Sequence, residues 1–309
     1  MSKLSIVMYH YVRPIRDSKY PQIKGLELEK FKHQLDYLEK NFQVIKAEDL
    51  LQFASGEERE LPSNACLLTF DDGYKDHIDY VFPELIRRKI QGSFFPPVKS
   101  VVERKMLDVN FIHFILATCS DYQLLVRELH ELCLEFGITN DELAKYQKLY
   151  FLPSRFDIKE VAYFKTMLQH VLSQNFRGKA IETLFRKYVK REPEEIAEIL
   201  YMNTDDIERL LESGMYVGSH GYSHGWLNKE PREVQEREID LSLDFLTRVG
   251  APVENWIMCY PYGAYSSDTL QILRDRKCAI GLTTKVGLAD LAPDNFLELQ
   301  RFDTNDFPQ

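Results

Sequence analysis

Asp71 and Asp72 stand side by side where the apolar run 65–70 meets Gly73, inside Thr69-Phe70-Asp71-Asp72-Gly73-Tyr74. Such a run reads as a buried strand ending in a turn. Side chains alternate faces along a strand, so two neighbouring acids can serve two different targets. One can hold a metal ion while the other takes a proton from a water. Farther on, Ser219-His220-Gly221-Tyr222-Ser223-His224 carries two histidines four apart. On a helical turn that spacing puts both imidazoles on one face, and two histidines with one carboxylate make a common open metal site. A third segment, Tyr260-Pro261-Tyr262-Gly263, has the composition of a tight turn.

With Met8-Tyr9-His10-Tyr11-Val12 near the N-terminus, these segments resemble the polysaccharide deacetylase family (carbohydrate esterase family 4, the NodB-homology domain). The Tyr-His pair is similar to the branch that acts on cell-surface polysaccharides. The resemblance covers both ends of the chain and leaves the middle third aside. It implies a distorted (β/α)7 barrel in which Asp72, His220 and His224 hold one divalent metal ion. Zinc is the first choice for that donor set, with cobalt, nickel or iron as substitutes. The resemblance makes Asp71 the general base for a water at the metal. The backbone N–H of Tyr262, after Pro261, would face the developing oxyanion.

Two departures from the family pattern shape the remaining assignments. Much of the family takes its acid histidine from a Leu-x-His segment near the C-terminus, whereas Leu297-Glu298-Leu299-Gln300-Arg301 holds none. His10 is the expected general acid instead, since histidine titrates near neutral pH. The family's turn segment opens with an arginine that pairs with the base, and Cys259 stands there. Arg301, following the last expected strand, is the candidate replacement, braced by Asp303. The family's Asp-x-x-Asp-Trp segment is not recognisable. Tyr9, Tyr74, Tyr222, Trp226 and Tyr265 flank the motifs and are candidates to stack on sugar rings.

The elements that must position these residues are legible as short apolar runs alternating with helical spacing. Strands are expected at 4–9, 43–45, 65–70, 92–95, 215–218, 256–260, 279–283 and finally 296–299. Helices are expected at 28–42, 47–53, 78–88, 231–249 and 267–276, and one begins at Thr204 as its N-cap. This alternation predicts an α/β domain with a parallel sheet or barrel, and the chemical residues fall at strand ends, where such folds build active sites. From 104 to 203 the pattern turns helical, with helices expected at 121–136, 161–176 and 180–189. That stretch is read as a helical insertion within one domain spanning 1–309.

With 309 residues and 44% hydrophobic content the chain can bury a large core. A net charge of -9 argues against nucleic acid and anionic membrane surfaces as main partners, though it does not forbid a local basic pocket. No run of 18 apolar residues exists, so no membrane span is expected. Nothing resembles a secretory leader, and the five scattered cysteines fit free thiols in a reducing cytoplasm. The expectation is a metal-dependent carbohydrate deacetylase, a hydrolase of a non-peptide C–N bond. Its substrate is an acetylated sugar, nucleotide-linked, lipid-linked or an oligosaccharide, used for a surface polysaccharide. Two alternatives stand beside it: a hydrolase of a non-sugar acyl amide, and a non-catalytic carbohydrate-binding scaffold.

Overall fold

The computed structural model describes residues 3–58 and 60–308. Seven parallel strands form the frame: β1 Leu4–Tyr9, β2 Ala65–Asp71, β3 Ser93–Phe95, β4 Tyr216–Val217, β5 Trp256–Cys259, β6 Cys278–Val286 and β7 Leu299–Asp303. Their order around the sheet is β4-β3-β2-β1-β7-β6-β5. The two outer strands meet through a parallel bridge between Ser219, just past β4, and Met258 in β5. Ser219 N–H donates to the Ile257 carbonyl at 3.1 Å, and Cys259 N–H donates to the Ser219 carbonyl at 2.8 Å. The sheet therefore curls into a ring, the distorted (β/α)7 barrel. Gly218 permits this closure: a Cβ there would lie 2.6 Å from the Phe95 ring and 2.7 Å from the Ile257 carbonyl oxygen.

Burial on both faces is what parallel strands require, and β1 and β2 are buried along their whole length. Alternation then decides which residues enter the ring. Ile6, Leu67, Phe95, Tyr216, Ile257, Ile280 and Leu299, from all seven strands, share one apolar cluster. The alternate residues Val7, Leu68, Phe70 and Phe94 pack outward, with Phe31, Leu35 and Leu38 of helix α1, Leu28–Asn41. Continuing the inner parity past Leu67 and Leu299 brings Thr69, Asp71 and Arg301 into the ring near its carboxyl end.

Three sequence expectations need correction. The segment 296–299 is not the last strand: Pro293–Glu298 forms a 3-10 turn, with Pro293 fitting its first position, and the strand begins at Leu299. Arg301 thus lies inside a strand rather than after it. Asn203, not Thr204, caps helix α2, Thr204–Glu212, because its side chain reaches the Asp206 N–H at 2.9 Å. The helix expected at 161–176 breaks: Lys159–Thr166 runs into a wide π turn, Met167–Val171, and a new helix, Gln174–Tyr188, follows.

The chain separates into two compact units. One is the barrel. The other comprises Met106–Ile196 together with Ile15–Lys24. This second unit is helical, with a core that includes Ile112, Phe114, Leu125, Leu129, Phe164 and Phe185. None of the candidate site residues lies in it.

Candidate active site

The two acids take different directions because the backbone turns between them. Asp71 ends β2 in extended conformation and points into the ring. Asp72 adopts φ +73° and Gly73 φ +64°, a left-handed pair that an acid and a glycine tolerate. Gly73 is required twice over, since a Cβ would also lie 2.8 Å from Pro96 Cβ. Asp72 N–H donates to the Phe95 carbonyl at 3.1 Å, which fixes the turn to β3.

Asp72 faces the two histidines. His224 Nε2 lies 3.2 Å and His220 Nε2 3.4 Å from Asp72 Oδ1. The other carboxylate oxygen, Oδ2, accepts a hydrogen bond from the Tyr74 hydroxyl at 2.7 Å. His220 Nδ1–H donates to the Cys259 carbonyl at 2.7 Å, so its Nε2 lone pair is left for the centre. The histidines do not ride on a helical turn as the spacing suggested. They lie on an irregular loop in which Gly221 has φ +71° and His224 φ +62°. Ser219 Oγ braces that loop by accepting the Gly221 N–H at 3.1 Å. Glu238, on helix α3, Arg232–Val249, accepts the Ser223 N–H at 2.8 Å.

The donor set fits a divalent cation. Asp72 Oδ1 is buried and, among the described residues, accepts no hydrogen bond, an arrangement costly for a carboxylate unless a cation occupies its lone pairs. Asp72, His220 and His224 offer one ligand atom each, all within 4.8 Å of one another. Charge points the same way. Asp71, Asp72 and Arg301 sum to minus one in a site where all three are almost fully buried.

Arg301 reaches Asp71 from across the ring. Its Nη1 donates to Asp71 Oδ1 at 3.0 Å, and its Nη2 lies 2.9 Å from Oδ2, an ion pair that spans both carboxylate oxygens. Nη1 also donates to Thr69 Oγ1 at 3.1 Å, Nε to the Thr283 carbonyl at 2.8 Å, and Thr69 Oγ1–H to the Val7 carbonyl at 2.8 Å. Four strands thus hold one guanidinium. Asp303 does not brace it; its side chain accepts the Asn305 N–H in the turn after β7. Burial pushes the Asp71 carboxyl up, but Arg301, with His220 and His10, outweighs it and holds the group below its ordinary value. Asp72 lies well below its ordinary value, because the two imidazoles beside it outweigh its burial.

His10 follows β1. Its Nε2 is 4.0 Å from Asp71 Oδ2, and its side chain is 41% exposed against 2% for Asp71. It is therefore the member of the group that faces incoming solute. The His77 Nε2–H donates to the His10 carbonyl at 2.8 Å, holding this segment in place.

Comparison with known proteins fits this arrangement. A family model described as polysaccharide deacetylase matches residues 161–279, which hold both histidines and Tyr262. Over that stretch the chain is similar to the polysaccharide deacetylase family. Solved structures similar to it include the Streptococcus pyogenes deacetylase PplD in complex with acetate. That structure has 16% identity and a TM-score of 0.59, with 98% of this chain and 92% of that one covered. IcaB from Ammonifex degensii shows 18% identity and a TM-score of 0.55, with 96% and 94% covered. The BpsB deacetylase domain from Bordetella bronchiseptica shows 15% identity and a TM-score of 0.55, with 97% and 95% covered. At these identities the structures establish a shared fold. No curated protein matches the sequence.

Cys259 occupies the position where an arginine was expected, with its thiol buried in the ring. Tyr262 adopts φ +59°, and its ring packs against His224 at 4.6 Å and stacks on Trp226 at 4.6 Å and 12°. Tyr9 and Tyr74 cannot stack on a sugar, because both are fully buried. Tyr222 and Tyr265 are partly buried, with hydroxyls donating to Glu103 at 2.5 Å and Glu298 at 2.6 Å. The sequence reading missed what Thr69 and Tyr74 do. Each belongs to the Asp-Asp motif, yet the partner of a hydroxyl is set by strands distant in sequence.

Proposed function

We propose that the chain is a metal-dependent hydrolase that removes an N-acetyl group from a carbohydrate in the making of a cell-surface polysaccharide. One observation carries this reading. Two adjacent carboxylates are held apart by the backbone: one faces two imidazoles, and the other pairs with a buried guanidinium and lies 4.0 Å from an accessible histidine. Asp72, His220 and His224 would hold one divalent ion, zinc by preference, which supplies Lewis acidity and lowers the pKa of a water beside it.

The remaining chemistry belongs to side chains. Asp71 stays ionised because Arg301 pairs with both of its oxygens, and so it can take the proton of the attacking water. The water oxygen bonds to the acetyl carbon, and the Tyr262 N–H is our proposed donor to the resulting oxyanion. As the C–N bond breaks, His10 gives a proton to the leaving nitrogen, releasing acetate and the free amino sugar. Arg301 takes the part of the arginine that Cys259 replaces, which removes a main ground for reading the chain as a non-catalytic scaffold. Trp226 and Tyr262, stacked beside His224, support a sugar as the group presented to the site.

The test compares wild type, Asp71→Asn and His220→Ala for metal content and for acetate release from N-acetylated oligosaccharides. Asp71→Asn is expected to keep its metal and lose on the order of 10²- to 10⁴-fold in turnover. His220→Ala should lose both. Full turnover in Asp71→Asn would remove the base assignment. A wild type that takes up neither zinc nor cobalt would leave a carbohydrate-binding protein instead.

A further inference from the structure

The helical unit carries a surface that the hydrolytic site does not use. Helix Asn140–Tyr150 and helix Lys159–Thr166 are joined by a short loop. The loop is compact: Asp157 N–H donates to Ser154 Oγ at 3.1 Å, and Ser154 N–H donates to the Asp157 carbonyl at 3.0 Å. Its tip exposes Leu149 (51%), Leu152 (62%), Phe156 (50%) and Ile158 (56%). Twelve large apolar side chains are exposed among the described residues, and four of them fall within these ten positions. Exposed apolar residues scattered singly need no explanation, whereas a cluster marks a contact surface.

Charge says what the contact is. Lys145, Lys148, Arg155 and Lys159 are exposed around the same tip. The one acid between them, Asp157, is neutralised by Lys24 at 2.5 Å and Lys165 at 2.8 Å. A chain of net charge -9 thus concentrates cations on one apolar tip. The cations also lie over the rings, Arg155 at 4.7 Å from Phe156 and Lys159 at 5.2 Å from Phe151. Tyr146 and Tyr150 are half-buried alongside. Apolar tip, tyrosines and basic collar together match the interfacial zone of an anionic bilayer, where such residues are favoured. Phe156 and Ile158 also line a cavity of about 190 Å³ with Leu116, Tyr122, Lys24 and Lys165, apolar walls with cationic groups among them. Among the described residues no helix is long and apolar enough to cross a membrane.

We propose that this helix–loop–helix tip docks the protein onto the surface of an anionic lipid membrane. Leu149, Leu152, Phe156 and Ile158 enter the headgroup region, while Lys145, Lys148, Arg155 and Lys159 meet the lipid phosphates. The inference is independent of the deacetylase reading, since it uses residues of the helical unit alone.

The test is flotation of the full-length, metal-loaded protein with phosphatidylcholine vesicles, with and without phosphatidylglycerol. Wild type should float with the anionic vesicles and progressively detach as salt rises. The pairs Leu152→Ser with Phe156→Ser, and Lys148→Glu with Arg155→Glu, alter exposed residues only. Each should keep the wild-type circular dichroism spectrum and lose about tenfold or more in vesicle partitioning. Failure of wild type to float, or flotation unchanged in both variants, overturns the proposal. So does self-association without flotation that Leu152→Ser with Phe156→Ser abolishes, which would assign the tip to a protein contact.

Discussion

At the scale of single residues, the division of labour within Asp72 is the most informative detail. One oxygen faces two imidazole nitrogens and the other is held by the Tyr74 hydroxyl. Groups that orient a metal-binding carboxylate contribute to affinity without touching the ion. Tyr74→Phe is therefore expected to weaken zinc binding by about 10- to 100-fold, measured by competition with a chromogenic chelator. The ring stacks on Tyr11 at 4.0 Å and on Tyr201 at 6.2 Å, and phenylalanine keeps both contacts, so the fold should persist. Unchanged affinity would mean that the Asp72 backbone turn alone orients the carboxylate. The acids and histidines could be read from sequence because their types and spacings are local. The hydroxyls could not: Tyr74 looked like a sugar-stacking residue, and only its burial shows otherwise.

At the scale of elements, the segment that carries His10 depends on residues just beyond the Asp-Asp motif. Asp76 accepts the Val12 N–H at 3.2 Å and the Arg13 Nε–H at 2.6 Å. Burial raises its carboxyl from 3.8 to about 6, in spite of Arg13. A carboxyl raised on folding binds its proton more tightly in the native state, so ionising it costs stability. The loss begins above the unfolded pKa and is complete once pH passes about 6. Relative to Asp76→Asn, wild type should lose up to roughly 3 kcal/mol of unfolding free energy between about pH 4 and pH 7. Urea titrations of both proteins across that range measure it. Wild type gaining stability relative to Asp76→Asn as pH rises would show that the Arg13 pair, not burial, dominates. The same scale explains what the sequence concealed. The short strands and most helices were legible from apolar runs and spacing. The strand-like 296–299 turned out to be a 3-10 turn, and the histidine pair sits on a loop, because a four-residue interval does not specify a helix where Gly221 and His224 turn left-handed.

At the scale of the whole molecule, the two units give the proposed metal site a separable signature. All three proposed ligands belong to the barrel unit, which comprises about 200 residues. The barrel unit also contains both tryptophans of the chain, Trp226 and Trp256. Tryptophan fluorescence therefore follows the barrel, whereas far-ultraviolet circular dichroism follows the helices of both units. A ligand that binds only the folded state stabilises it by mass action, about 2.7 kcal/mol at a hundred times its dissociation constant. For a unit of this size that corresponds to a midpoint rise of roughly 5–10 °C. Zinc should raise the fluorescence midpoint by this amount, a chelator should reverse the change, and His220→Ala should show neither effect. If the wild-type midpoint did not move with zinc, the uncompensated Asp72 oxygen would need another partner, and the proposed hydrolytic chemistry would lose its ion.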